Sequence, residues 1–128
     1  MWPVVYYQDL RGREPVRDVM ASLPARERRI VVNHIERLKA FGPNLPYPWS
    51  SQIRGELREL RAEAGPTHYR LLYSRSGNLF VLLHMFDKRA AHVPETDVQV
   101  AIGRWNDYQS RMNEQPRTPP RPAGHEAP

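Results

Sequence analysis

The chain has 128 residues, 14 acidic and 19 basic side chains and a formal net charge of +5, with a sequence pI of about 10.0. That length builds one domain with a real core and not two, and the charge favours a partner rich in phosphate or carboxylate. The chain has no cysteine, which excludes disulfides, a cysteine nucleophile and thiolate metal sites together.

Val4 to Tyr7 is a short β-branched and aromatic run stopped by Asp9-Leu10-Arg11-Gly12, and it predicts a first strand with a turn behind it. No long apolar stretch follows a basic start, so a soluble cytoplasmic protein is expected, with no membrane partner. Pro15 to Leu23 predicts a helix, with Val16, Val19, Met20 and Leu23 at helical spacing. A second helix starts at Pro24, carries Val31, Ile35 and Leu38 as its apolar stripe, and ends at Gly42-Pro43. Asn44 to Ser51 holds Pro46 and Pro48 and reads as a connecting loop whose Tyr47 and Trp49 cover an edge of the core.

Three strands follow, at about Leu57–Ala62, Thr67–Ser74 and Leu79–Phe86, joined by the turns Gly65-Pro66 and Ser76-Gly77-Asn78. Links that short imply an antiparallel meander. Thr96 and Gln99 have the form of a capping box, and Val98, Ala101, Ile102, Trp105, Tyr108 and Met112 form the stripe of a third helix. Beyond it the tail has five prolines in sixteen residues and almost nothing apolar, so residues 113–128 are expected to be disordered behind a domain at 1–112. The fold class is α+β: a small twisted antiparallel sheet of about four strands, two N-terminal helices on one face and the C-terminal helix at its side.

The chemistry gathers on the meander. Period-two alternation puts Leu82, His84, Phe86 and Lys88 on one face and Val81, Leu83 and Met85 on the other. Arg70 points away from Tyr69, Leu71 and Tyr73, and Arg61 ends its strand opposite Leu60, so both arginines can sit beside His84. Two plainer readings stand beside this one: His84 as a strand-end imidazole bonded to backbone, and Arg61 and Arg70 as ion-pair partners of Glu59 or Glu63. Seventeen of the nineteen basic residues are arginine, which suits bidentate phosphate contacts but fits a compositional bias equally well. His68 and His92 flank the region without metal-ligand spacing, and no cofactor or metal is expected.

In order, Arg54-Gly55-Glu56-Leu57-Arg58-Glu59-Leu60-Arg61, Tyr69-Arg70…Tyr73 and Leu83-His84-Met85-Phe86-Asp87-Lys88-Arg89, together with the Gly42-Pro43…Leu45-Pro46…Pro48 connector, Pro94, Ala101 and Arg104, resemble the RelE/ParE toxin superfamily and its phage-derived HigB-like branch. The resemblance implies a RelE-like fold and a cytoplasmic toxin that cuts mRNA in the ribosomal A site without a metal. It also implies a hetero-oligomer with an inhibiting antitoxin that carries a helix-turn-helix domain. Many relatives have a lysine in the connector where this chain has Ser50-Ser51-Gln52.

Such cleavage needs a base for the ribose 2′-hydroxyl, cations for the phosphoryl oxygens and an acid for the leaving oxygen. His84, Lys88, Arg61 and Arg70 are the expected catalytic set, with Arg54, Arg58, Phe86, Arg89 and His92 binding RNA; Phe86 offers a ring on which a base can stack. The rival functions on the same fold are a gyrase-poisoning toxin resembling ParE, without nuclease activity, and an inactive antitoxin-binding regulatory module.

Overall fold

The computed structural model describes residues 1–114 and 120–128. Strand β1 (Val4–Tyr7) leads into helices α1 (Pro15–Ser22) and α2 (Ala25–Phe41) and a 3-10 turn at Gly42–Asn44. Strands β2 (Ser50–Arg54), β3 (Leu57–Ala64), β4 (Thr67–Ser76) and β5 (Leu79–Asp87), helix α3 (Glu95–Asn113) and strand β6 (Ala123–Glu126) complete the order. The class is α+β, but the sheet is larger than the patterning suggests, with six strands in the order β2-β3-β4-β5-β1-β6. It is also mixed: β1 runs parallel to β5, with Val5 opposite Val81, while the other neighbours are antiparallel. None of the described helices is long and apolar enough to cross a membrane.

Two cores lie on opposite faces of this sheet. On one, α1 and α2 bring Val16, Met20, Val31, Ile35 and Leu38 onto Leu60, Leu71, Tyr73, Phe80 and Leu82. On the other, Val98, Ala101, Trp105 and Tyr108 of α3 meet Leu57, Leu72, Val81 and Leu83. Helix α3 therefore covers the second face rather than flanking the sheet, as adjacent residues such as Leu71 and Leu72 must point to opposite sides. It starts after Pro94 with no side-chain cap; Gln99 turns its amide to Glu95 at 2.9 Å, so the expected capping box is not formed.

The period-two face assignment on β5 also needs correction. Tyr73 pairs with Leu82 and Leu72 with His84, which leaves Leu83 as an extra residue on β5. A bulge of this kind reverses the alternation beyond it. Leu82 and Met85 consequently share the α1/α2 core, while Leu83, His84 and Phe86 lie on the α3 face.

The connector differs as well. Ser50 to Arg54 pairs with β3 as an edge strand, where the prolines before it had suggested a loop alone. Tyr47 and Trp49 do not cover the core: the Tyr47 residue is 72% exposed, and the two rings carry the guanidinium groups of Arg61 and Arg37 at 5.3 and 4.8 Å. Gly42 ends α2 at φ +55°, and its missing Cβ makes room for the Trp2 indole.

Disorder of the tail is corrected where it is described; residues 115–119 of that expectation lie outside the described residues. β6 pairs with β1, and Ala127 is buried. The amide of Ala127 donates to Val4 O at 2.8 Å and that of Gln8 to Pro122 O at 2.6 Å. Lys39 Nζ donates to Ala127 O at 2.5 Å, and the buried Glu14 carboxylate accepts from the His125 amide at 2.6 Å. Backbone and polar contacts hold this strand, which is why its lack of apolar residues misled.

Candidate functional site

On the face of the sheet that α3 covers, the register sets the side chains in rows that run from beneath the start of α3 out to the Gly65-Pro66 turn. Glu59, Leu72 and His84 form one row across β3, β4 and β5; Arg61, Arg70 and Phe86 form the next; Glu63 and His68 form the last, beside the Gly65-Pro66 turn. Two arginines directly opposite each other repel, and the flanking glutamates offset this. Arg70 is buried, its side chain only 3% exposed, with Nε 2.9 Å from Glu59 Oε1 and Nη1 3.0 Å from Glu63 Oε1. The Nε–H is not aimed at Glu59, so that contact is one of charge, while Nη1 also donates to Tyr69 O at 3.0 Å. Arg61 is freer: it lies 3.9 Å from Glu59 and reaches out over Tyr47.

Lys88 lies just past β5, where its amide donates to His68 O at 2.7 Å. Its side chain borders a cleft of about 380 Å³ with Arg61, Glu63, His68, Arg70 and Arg89. It also borders a second, of about 280 Å³, with Arg54, Glu59, His92 and Glu95. The site's other cations have carboxylate partners: Arg54 forks onto Glu95 with two contacts of 2.8 Å, and Arg89 meets Asp87 at 3.0 Å. Lys88 takes part in none of these pairs. Hydrogen bonds from Arg54 and Gln99 hold the Glu95 carboxyl down to about 2.

His84 is occupied differently from the expectation. Its Nε2 is 2.7 Å from Asp97 Oδ1 on the first turn of α3, and its Nδ1 is 3.3 Å from Arg104 Nη1, which also donates to Leu83 O at 2.8 Å. Phe86 stacks on it at 5.5 Å, so one face of that ring is already covered. Both imidazole nitrogens thus tie β5 to α3. Arg58 is on the opposite face, across from Tyr73, where its Nε donates to the buried Ser50 hydroxyl at 3.1 Å. The structure therefore gathers Arg61, Arg70, Lys88 and Arg89 in one cleft, puts Arg54 and His92 in the adjoining one, and leaves Arg58 out.

The family model described as phage derived protein Gp49-like (DUF891) matches residues 18–106, more than half of the 128. The chain belongs to this Gp49-like family. The matched span contains every residue of both clefts; β1 and β6 of this Gp49-like protein lie outside the span. No curated protein matches the chain.

The patterning did not single out the pair Glu63 and His68. Burial pushes the Glu63 carboxyl up, but the hydrogen bond from His68 and the charge of Arg70 outweigh this and hold it below the ordinary carboxylate value. The signal was present: counting outward from the two-residue Gly65-Pro66 turn sets Ala64 opposite Thr67 and Glu63 opposite His68.

Proposed function

We propose that this Gp49-like protein is the toxin of a toxin–antitoxin pair, an endoribonuclease that cuts mRNA on the ribosome in the cytoplasm and is held inactive by a helix-turn-helix antitoxin. The observation that carries the reading is Lys88 at the junction of the two clefts. The carboxylates around it, Glu59, Glu63, Asp87 and Glu95, each face an arginine, so Lys88 is the surplus positive charge. A phosphodiester in the larger cleft meets that ammonium with Arg61 and Arg89 beside it, and such fixed cations stabilise charge that builds on phosphoryl oxygens. The resemblance of the strand motifs to RelE/ParE toxins supplies the substrate, and the cleft supplies chemistry that suits it.

Induction of the chain in a bacterial host, with mRNA 5′ ends mapped, tests this. New ends should appear inside translated frames while translation falls before replication does. If replication stops and DNA breaks accumulate while translation persists, the function is that of a gyrase poison and the nuclease reading fails.

A further inference from the structure

An imidazole can act as a base only through a nitrogen that carries a free lone pair. His84 does not offer one, since Asp97 and Arg104 take its two nitrogens. His68 does. Its Nδ1 is hydrogen-bonded to Glu63 Oε2, and an ionised carboxylate only accepts, so Nδ1 carries the proton and the neutral ring keeps its lone pair on Nε2. Among the described residues no hydrogen bond engages Nε2, and the side chain, 53% exposed, borders the cleft that also holds Arg61, Lys88 and Arg89.

Glu63 is itself fixed. Its other oxygen, Oε1, lies 3.0 Å from Nη1 of the buried Arg70, whose Nε stands 2.9 Å from Glu59. A line of alternating charge, Glu59–Arg70–Glu63–His68, thus runs from the covered sheet to the open cleft and ends on an imidazole. This is the arrangement by which a carboxylate fixes the tautomer and direction of a catalytic histidine, with Arg70 in the supporting role that its burial leaves open to it. The bond from the Lys88 amide to His68 O, 2.7 Å long, fixes the base relative to the phosphate-binding ammonium.

Resting on the ribonuclease reading, we propose that His68, aligned by Glu63, is the base that takes the proton of the ribose 2′-hydroxyl. The proton passes from O2′ to Nε2, the O2′–P bond forms and the P–O5′ bond breaks. The departing 5′-oxygen takes a proton from a cleft water, and the products are a 2′,3′-cyclic phosphate and a 5′-hydroxyl. His68 then returns its proton to solvent. Glu63 and Arg70 are positioning residues. The charged groups facing His68 are Arg61 and Glu63 from β3, Arg70 from β4, and Lys88 and Arg89 beyond β5.

Single-turnover cleavage of mRNA on programmed ribosomes by the full chain tests the assignment between about pH 6 and 8. His68→Gln should cut about 10²–10⁴-fold more slowly, bind the ribosome as the wild type does, and lose the acid limb of the rate profile, where a protonated base is inactive. Glu63→Gln should slow cleavage while leaving ribosome binding unchanged, because an amide can donate to Nδ1 and so no longer fixes the ring proton there. A thermal melt of each variant confirms that it is folded. If His68→Gln cuts at the wild-type rate, or is slowed with its acid limb unmoved, the base lies elsewhere and the ribonuclease reading survives. Absence of cleavage by the wild-type chain overturns both.

Discussion

Arg70 shows how burial changes the meaning of a charged side chain. Read along β4 it is a cation on an open face; in the fold it is enclosed, with Glu59, itself 7% exposed, on one side and Glu63 on the other. Removing one member of a buried pair leaves the other charge without compensation, at a cost of about 3–5 kcal/mol, whereas replacing both by apolar groups is often close to neutral. Arg70→Met should therefore lower stability by about that amount, and adding Glu59→Leu should restore most of it; urea titration of the single and double variants measures both. A single variant as stable as the wild type would return Arg70 to the role of a free phosphate ligand. His84 teaches the same lesson: the sequence showed an imidazole beside cations, but Asp97 and Arg104 come from α3, more than ten residues further along. Which hydrogen bonds a side chain makes across that distance is not visible in local spacing.

The legibility of each element followed from what holds it. β1, both N-terminal helices, the meander and α3 announce themselves through apolar periodicity, since burial of one face is what stabilises them. The bulge at Leu83 does not, because an inserted residue leaves the run Phe80–Met85 as apolar as before, and yet it decides which face His84 occupies. β6 was hidden for a different reason: its own residues bury little, only the flanking Pro122 and Ala127 being buried, and this segment is held by bonds to Val4, Gln8, Glu14 and Lys39. Gly124 belongs to this docking, as a Cβ there would overlap the Glu14 carboxylate. Ending the chain at Glu114 should remove these bonds and expose the edge of β1. With each bond contributing about 1 kcal/mol net, the melting temperature should fall by on the order of 10 °C. A melt unchanged by the truncation would mean that the strand adds nothing to the stability of the domain.

Over the whole chain the basic side chains outnumber the acidic ones, 19 to 14. The resulting formal net charge of +5 is an excess that attracts any polyanion weakly. On the α3 face, by contrast, Arg61, Lys88 and Arg89 surround one cleft while the neighbouring carboxylates are tied to arginines. If single-stranded RNA is held there, binding should release about one counterion per phosphate neutralised. The slope of log affinity against log salt is about −0.7 for each phosphate contact on a single strand, so three cleft cations predict a slope of about −2. A short RNA with every 2′-oxygen methylated binds without being cut, and fluorescence anisotropy across salt concentrations gives the slope. Lys88→Ala should make it shallower by about 0.7 and weaken binding at low salt about ten- to a hundredfold, the loss expected of one charge-assisted contact. Arg58→Ala, on the far face of the sheet, should change neither. Equal losses from the two substitutions would mean that the RNA is attracted by the overall charge of the surface and not by the cleft.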